Sequence, residues 1–237
     1  MRIVRNHLRN KGREIQMNVS GRNEFVVDWL RNVLGEGDTV LDAGCGYGWV
    51  AWHVQQFAPR TKFICIEPDT KTLEIAKSLV DNSEVFFCSN WDEVQGSGFG
   101  GADVAVSIEV LEHVSRGGET EYLTRFAQSL KPGGRALVTT PARTLRSTIL
   151  DPAFWLARHR HYSRDFLMKV FSESGLRVVA MSQRGGLAEL VSIWDLYVSK
   201  WIFRREPFFE NSYRQALRNE WGASSGGWMG WWIELER

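Results

Sequence analysis

Residues 40–51, VLDAGCGYGWVA, decide the fold of this chain of 237 residues. A short apolar run ends in Asp42, and glycines follow at every second position, at Gly44, Gly46 and Gly48. Glycine loses more conformational entropy on folding than other residues, so spacing this close indicates a backbone that other residues would not tolerate. The pattern predicts a buried strand, a sharp turn and then the start of a helix.

The rest of the chain continues this alternation of short apolar runs and amphipathic segments. Further strands are predicted at KFICIEPD, EVFFCS, ADVAVSIEV, RALVTTP, LRVVAMS and, at the end of the chain, within GWMGWWIELER. Alternation of this kind predicts an α/β fold. We expect a Rossmann-like, doubly wound, mostly parallel seven-stranded sheet with helices on both faces and a C-terminal helical, Trp-rich elaboration.

The predicted elements indicate a single domain spanning residues 1–237. We divide it into an N-terminal helical cap (1–37), a cofactor-binding core (38–186) and a substrate or lid elaboration that includes the last strand (187–237). The helix EYLTRFAQSL is expected to stop at Lys131, before a Pro-Gly-Gly turn, and Ser163 is expected to cap the next helix.

Composition excludes several classes of protein. The formal net charge is +1, which is not that of a dedicated nucleic-acid binder, and no apolar stretch has the ~18 residues of a membrane-spanning helix. The basic N-terminus lacks the apolar region of a signal peptide, and Cys45, Cys65 and Cys88 show no metal or redox spacing. We therefore expect a cytoplasmic protein with buried, reduced thiols.

The glycine turn predicts a ligand at the carboxyl end of the first strand, where open α/β sheets bind their ligands. A dinucleotide and S-adenosylmethionine both fit there. The third glycine of a dinucleotide fingerprint is replaced by Trp49. Asp42 would repel a pyrophosphate but attract the ammonium and sulfonium groups of S-adenosylmethionine. Glu67, which ends the second strand, can accept hydrogen bonds from ribose hydroxyls.

The chain resembles the class I S-adenosylmethionine-dependent methyltransferases, in particular those of quinone biosynthesis. The matching segments are VLDAGCGYG, CIEPD, FFCSNW, DVAVSIEVLEHV, LKPGGRALVTTP and HRHYSRDFLMKVFSESGLRVV, and they cover residues 38–182. The resemblance implies S-adenosylmethionine as the cofactor. It implies that Asp42, Gly44 and Gly46 surround the methionine part and that Glu67 holds the ribose.

The resemblance also implies contacts at the adenine and at the methyl donor. Asn90 stands where many relatives have an aspartate that reads the adenine amino group, and Trp91 could stack or pack on the ring. Ser107 would line the methyl-donor end, mostly through its backbone. Asn90 thus departs from the family pattern, and its own amide amino group complicates the contact with the adenine amino group.

The segment Glu-Val-Leu-Glu-His carries the candidate catalytic residues. Glu109, Glu112 and His113 would share one face if the segment is helical. The quinone-biosynthesis methyltransferases have a similar motif that is linked to metal. We assign Glu109 and His113 as catalytic candidates and assign no metal, while cation binding and a purely structural His113 remain alternatives. An unperturbed imidazole, with a pKa near ~6.5, could accept a proton from the acceptor.

The remaining histidines and aromatic residues leave several interpretations open. His159 and His161 are expected to anchor a loop. The aromatic residues of the C-terminal part could form a lid over the acceptor, pack in the core or a homodimer face, or attach a helix to a membrane surface through the nearby basic residues. The aromatic residues are Trp155, Trp194, Trp201, Phe203, Phe208 and Phe209, and the basic ones are Lys200, Arg204 and Arg205.

The sequence thus predicts an enzyme that methylates an oxygen or nitrogen of a small-molecule acceptor, such as a secondary metabolite, a sugar or a lipid-linked intermediate. Positioning can lower the barrier by up to ~7–11 kcal/mol, against ~3–5 kcal/mol for an acid or base, so an obvious base is not required. The alternative is a non-catalytic cofactor-binding module or partner subunit. The signature of amide and base N-methyltransferases is absent after the fourth strand, which disfavours nucleic-acid bases as acceptors.

Overall fold

A ladder of parallel strands forms the centre of the computed structural model, which describes residues 21–96, 98, 100–156, 158–203, 210–223 and 226–237. The strands are β1 (Thr39–Ala43), β2 (Lys62–Ile66), β3 (Val85–Cys88), β4 (Ala102–Ile108), β5 (Leu130–Pro141), β6 (Arg177–Arg184) and β7 (Gly230–Glu236). Their order is β3-β2-β1-β4-β5-β7-β6, and β7 runs antiparallel to both of its neighbours. The predicted mostly parallel seven-stranded sheet is confirmed.

Helices cover both faces of this sheet. They are α1 (Arg22–Val33), α2 (Trp49–Gln55), α3 (Thr70–Leu79), α4 (Trp91–Gly96), α5 (Glu119–Gln128), α6 (Leu145–Leu150), α7 (Pro152–Leu156), α8 (Arg164–Glu173), α9 (Leu187–Val198) and α10 (Glu210–Gly222). A 3-10 turn follows β4 at Leu111–His113, and a π-helical turn continues α9 over Ser199–Phe203. The strand order reverses between β1 and β4, which is where such folds form a ligand-binding crevice.

Alternation along the strands divides the buried residues into two cores. In β1, Leu41 belongs to the core with α5 and α8, and Val40 belongs to the core with α1 and α2. Trp221 of α10 and Trp232 of β7 also lie in the second core, so the C-terminal elements pack on the same side of the sheet as α1. Cys45, Cys65 and Cys88 are buried and free, as expected.

One helix end differs from the prediction. The helix expected to reach Lys131 ends at Gln128, and β5 begins at Leu130. The amide of Ala102 donates to the carbonyl of Ser129 over 2.8 Å. The backbone here therefore pairs with β4 and does not continue the helix. By contrast Ser163 caps α8 as expected, because its Oγ accepts from the amide of Phe166.

The long apolar helix of the C-terminal elaboration is oriented with its polar residues inward. Glu189, Asp195 and Ser199, which form its polar stripe, are buried, whereas Val191 and Trp194 are exposed. No helix among the described residues is long and apolar enough to cross a membrane. Residues 1–20 and 204–209, with the basic N-terminus, Arg204, Arg205, Phe208 and Phe209, lie outside the described residues, as do the side chains of Lys200 and Trp201. The division at residues 37 and 186 stays a prediction.

Candidate active site

The turn after β1 leaves open space above its backbone. Gly44, Gly46 and Gly48 have φ angles of 87°, 55° and 77°, in the region that side chains rarely adopt. A Cβ on Gly44 would lie 2.4 Å from Cγ2 of Val110, whereas a Cβ on Gly46 would meet nothing within 4 Å. Packing inside the protein therefore requires the first glycine, and the second leaves the backbone accessible to a ligand.

Asp42 lies beneath this turn, where 2% of its surface is exposed. Burial, reinforced by the nearby carboxylate of Glu67, raises the pKa of Asp42 to about 7. Its Oδ2 atom is buried and has no hydrogen-bond partner among the described residues. Because an orphaned buried acceptor costs free energy, this oxygen suits a ligand that brings a cation or a donor to it.

Glu67 stands directly after β2 and is held by the backbone on both sides. Its Oε2 atom accepts a hydrogen bond from the amide of Gly46 over 3.0 Å, and its Oε1 atom accepts one from the amide of Asp69 over 2.9 Å. A carboxylate oxygen has two lone pairs, so each oxygen can accept a further bond from a hydroxyl. The carboxylate is therefore oriented in advance for a diol such as a ribose.

A cleft of about 480 Å³ opens between this turn, the end of β2 and the segment after β4. Trp91 and Tyr122 form one aromatic wall, with their rings edge to face and 5.6 Å between centroids. A wall of this kind suits a planar heterocycle such as adenine. Tyr122, which the sequence analysis did not select, is held by a 2.8 Å hydrogen bond between its hydroxyl and Oγ of Ser107.

Two of the predicted cofactor residues have other roles in the structure. Asn90 caps α4: its Oδ1 atom accepts from the amides of Asp92 and Glu93, and its Nδ2 atom donates to Oε1 of Glu93. Ser107 is fully buried behind Tyr122. Neither residue is among those that line the cleft. The adenine contact of Asn90 and the methyl-donor contact of Ser107, the latter expected mostly through its backbone, stay predictions.

Glu109 follows β4 with a strained backbone. Its φ of 54° is rare for a residue with a side chain and costs ~1–3 kcal/mol. Its Oε1 atom accepts from Oγ1 of Thr139 over 2.9 Å, and its Oε2 atom lies 3.2 Å from a guanidinium nitrogen of Arg22. These contacts fix the carboxylate at the boundary between the cleft and a second cavity, since Glu109 and His113 line both.

The condition for a shared helical face of Glu109, Glu112 and His113, an α-helical segment, is not met. The segment forms a single 3-10 turn, Leu111–His113, so the three side chains do not follow helical spacing. Glu112 is buried, its Oε2 atom accepts from Oγ1 of Thr140 over 3.0 Å, and its Oε1 atom has no partner among the described residues. Burial, and then the charge of Glu109, holds the pKa of Glu112 well above its usual range.

A second histidine joins this turn from a distant part of the chain. The rings of His113 and His159 are edge to face with 4.6 Å between centroids. Burial, and then the charge of His113, lowers the pKa of His159, which favours its neutral form. Potential ligand atoms of Glu112, His113 and His159 lie within 4.8 Å of one another and could hold a metal ion. The third potential ligand in this set is therefore His159, whereas the sequence analysis grouped Glu109 with Glu112 and His113.

Arg160 fixes the 3-10 turn from the opposite side. Its guanidinium bonds to the carboxylate of Glu119 and to the carbonyls of Leu111 and Val114, and its Nε donates to the carbonyl of Glu112. Three backbone carbonyls in and just after one short turn thus accept hydrogen bonds from one side chain. Arg160 therefore positions the turn that carries His113.

The loop that carries His159 is anchored by its neighbour. His161 is buried, and its Nε2 atom lies 3.1 Å from Oδ2 of Asp151, which is also buried. This contact agrees with the anchoring role predicted for His161. His159 instead lines the second cavity, contrary to the anchoring role predicted for it.

The second cavity, of about 360 Å³, lies on the other side of Glu109 and His113 from the cleft. Its acidic lining residues are Glu109, Glu112, Asp151 and Glu189. Ile193, Leu196 and Tyr197 of α9 and Leu217 and Trp221 of α10 give it apolar surface. The cavity therefore combines apolar walls with hydrogen-bond acceptors, which is typical of a small-molecule site.

Arg22 joins three distant parts of the chain at this cavity. One guanidinium nitrogen lies 3.2 Å from Oε2 of Glu109 and 3.6 Å from Oε1 of Glu189. Trp221 donates to Oε2 of Glu189 over 3.1 Å. Burial nevertheless raises the pKa of Glu189 to about 8, since it outweighs the attraction of Arg22.

The fold and site define a class of protein: a Rossmann-like α/β domain with a glycine turn after its first strand, a cleft beside that turn and a separate second cavity. Residues 19–181, more than half of the chain, match the family described as Methyltransferase domain. The chain belongs to this family, and its cofactor is S-adenosylmethionine. The orphaned Asp42, the oriented Glu67 and the open backbone at Gly46 fit that cofactor.

Curated relatives fall into groups with different acceptors. A ubiquinone biosynthesis O-methyltransferase of Caulobacter vibrioides is 30% identical over 118 residues, which cover 48% of this chain and 45% of that protein. A ribosomal protein L11 methyltransferase of Thermotoga maritima is 29% identical over 97 residues, covering 38% of this chain and 36% of that protein. The chain thus spans about half the length, or less, of these two relatives.

Solved structures share the fold at low identity. A cyclopropane synthase from Mycobacterium tuberculosis matches with a TM-score of 0.61 and 17% identity, covering 91% of this chain and 84% of the other. Geranyl diphosphate C-methyltransferase from Streptomyces coelicolor A3(2) matches with a TM-score of 0.59 and 15% identity, covering 91% and 76%. The two differ in chemistry, so likeness to them shows the fold and leaves the acceptor open.

Proposed function

We propose that this protein transfers a methyl group from S-adenosylmethionine to a hydroxyl or amine of a small molecule seated in the second cavity. The observation that carries the proposal is that Glu109 and His113 line both the cofactor cleft and the second cavity. A donor in one and an acceptor in the other would meet at these two residues. Family membership supports methyl transfer as the reaction, and the geometry supports an acceptor that approaches the methyl group from the second cavity.

The cofactor supplies an electrophilic methyl group on a positively charged sulfur. This chain's own residues then have four tasks: Gly46 admits the ligand to the backbone, Glu67 orients a diol, and Asp42 offers an unpaired oxygen to a cation. The fourth task belongs to the acceptor side. There the carboxylate of Glu109 can accept a hydrogen bond from the attacking group and hold it in line, which is where most of the rate gain is expected.

His113 is proposed as the group that accepts the acceptor's proton. It is exposed at the junction of the two cavities, while Arg160 fixes its backbone turn. His159, whose pKa is lowered, is a neutral neighbour whose ring lies edge to face against that of His113. His113 would therefore take the proton beside a ring that adds no opposing charge.

The test separates cofactor binding from transfer. Purified protein is titrated with S-adenosylhomocysteine by calorimetry, and formation of that product from S-adenosylmethionine is then measured with a panel of catechols, amino sugars and aliphatic amines. His113→Ala should act mainly on turnover and lower it by ~10²–10⁴-fold, with a much smaller change in cofactor affinity. His53→Ala, on α2 away from both cavities, is the matched control and should change neither.

Two outcomes would contradict the proposal in different ways. Cofactor binding without transfer to any acceptor class would favour the non-catalytic module, and absence of cofactor binding would remove the cleft assignment itself. The cytoplasmic location, the homodimer and the exclusion of nucleic acid remain predictions from the sequence.

A further inference from the structure

An extended apolar surface lies on α6, α7, α9 and the π-helical turn. Its exposed members are Leu145, Ile149, Leu150, Trp155, Leu156, Val191, Trp194, Leu196, Ile202 and Phe203. The exposure is large, reaching 78% for Leu145 and 69% for Ile202. Monomeric proteins in water rarely leave large contiguous apolar patches uncovered, so a surface of this kind indicates an interaction site.

One hydrogen bond joins the two halves of this apolar surface, α9 and α6–α7, and another joins α7 to α6 within the second half. The indole nitrogen of Trp194 on α9 donates to the carbonyl of Leu150 over 3.0 Å, and that of Trp155 donates to the carbonyl of Ile149 over 3.2 Å. Both indoles therefore remain partly exposed while their polar atoms are satisfied. The helices form one surface and not two unrelated patches.

The orientation of α9 is the reverse of that expected for a helix packed on a protein core in water. Its polar residues are bonded inside the molecule: Ser199 donates to Oδ1 of Asp195 over 3.1 Å, and Tyr213 donates to Oδ2 of the same residue over 3.2 Å. Inward bonding of this kind fixes the apolar side outward. The exposure thus follows from specific contacts of the polar stripe.

The exposed charge of the two segments that carry this surface has one sign. Among the described side chains of residues 143–158 and 187–203, every exposed charged group is an arginine, namely Arg143, Arg146 and Arg158. The acidic residues there, Asp151, Glu189 and Asp195, are buried. None of the three arginines has an ion-pair partner in the described part of the chain. The surface therefore offers apolar side chains, indoles and unpaired positive charge.

We propose that this apolar surface docks on the interface of a membrane that contains anionic lipids. Leucine, isoleucine and phenylalanine side chains enter the headgroup boundary, tryptophans prefer that depth, and arginines are attracted to anionic headgroups. A second copy of the chain fits less well, because a two-fold contact would oppose arginines without an exposed carboxylate to pair them. The same helices wall the second cavity through Ala153, Ile193 and Leu196, so docking would place that cavity at the membrane.

Vesicle flotation of the full chain tests this proposal without requiring enzymatic activity. The protein should float with vesicles made of equal parts phosphatidylcholine and phosphatidylglycerol, and should bind phosphatidylcholine vesicles roughly tenfold more weakly or not at all. High NaCl should release part of the bound protein. These readouts do not depend on the proposed acceptor, so their failure and the failure of the proposed function are distinguishable.

Paired variants separate the apolar and the electrostatic contributions. Leu145→Ser with Ile202→Ser, and separately Arg143→Glu with Arg146→Glu, should each reduce binding to the anionic vesicles by roughly tenfold or more. Val179→Ser on β6 and Lys62→Glu at the start of β2 are exposed controls on other surfaces and should bind normally. Absence of vesicle binding, equal losses in the controls, or a dimer dispersed by Leu145→Ser with Ile202→Ser would overturn the proposal.

Discussion

At the scale of single residues, the burial of Asp42 makes the stability of the folded protein depend on pH. Its carboxyl is buried with one oxygen unpartnered, and its native pKa is raised to about 7 from an ordinary value of 3.8. The folded state therefore holds a proton that the unfolded state releases between these two values. Stability contributed by the protonated form is complete below the lower value and is lost as the pH rises through about 7.

The first prediction concerns Asp42→Asn, which removes this titration. Relative to the original chain, the variant should gain ~1–4 kcal/mol of unfolding free energy at about pH 8 and little at about pH 4. Its affinity for S-adenosylhomocysteine should fall at least tenfold, because the amide carries no charge for the cofactor's ammonium group. Urea unfolding at both pH values and calorimetry measure these effects, and an unchanged affinity would show that Asp42 does not face the cofactor.

Sequence could identify the residues whose signal is local. The spacing of Gly44 and Gly46, the strand-end Glu67 and the cap at Ser163 each follow from short-range rules, and the structure places them as described above. The adenine contact of Asn90 stays a prediction, since a side chain after a strand can either read a ligand or cap the next helix, and here it caps α4. Arg160 and Tyr122 were missed because an arginine in a loop and a tyrosine on a helix carry no local sign of distant partners.

At the scale of elements, the turn after β1 and the segment after β4 constrain each other. The second prediction is that Gly44→Ala destabilises the protein by ~1–3 kcal/mol, because the new Cβ would overlap a methyl group of Val110 and the φ of 87° is strained. Adding Val110→Ala should recover only the part due to the overlap. Chemical denaturation of the two single variants and the double variant gives the coupling, and strict additivity would contradict the contact.

Gly46→Ala provides the contrast within the same turn. Its Cβ would meet no protein atom within 4 Å, so only the strained φ should cost stability. If the space above Gly46 holds the cofactor, the affinity of this variant for S-adenosylhomocysteine should fall even though its loss of folding stability is small.

The 3-10 turn depends on a side chain from another part of the chain. The third prediction is that Arg160→Gln lowers the unfolding free energy by ~3–5 kcal/mol, since it leaves the buried carboxylate of Glu119 unpaired and removes donors from several carbonyls. Arg164→Gln, at the exposed start of α8, should change it by less than ~0.5 kcal/mol. Equal effects of the two variants in urea unfolding would show that the contacts of Arg160 contribute nothing specific to the free energy of unfolding.

At the scale of the whole molecule, Arg22 connects the N-terminal helix, the end of β4 and the C-terminal helix α9 around one cavity. No pattern in the sequence predicts this contact, because its partners Glu109 and Glu189 come together only when the sheet has formed. The predicted fold class was nevertheless accessible from sequence, since strand and helix periodicity is local. The junction between the cleft and the second cavity was not, because it is made by residues far apart in the chain.

The fourth prediction uses the pH dependence of this junction. The pKa of Glu189 is raised to about 8 with Arg22 in place, and removal of the guanidinium should raise it further. Arg22→Gln should therefore lower stability by a constant amount from about pH 6 to about pH 7.5, and by more above about pH 8, where the original chain ionises Glu189 beside a cation and the variant must ionise it alone. Arg218→Gln, whose partner Glu24 lies in a more exposed pair, should show no such additional loss. Thermal unfolding across this range measures both variants. A difference between Arg22→Gln and the original chain that stays flat above about pH 8 would mean that the guanidinium does not hold the charge of Glu189.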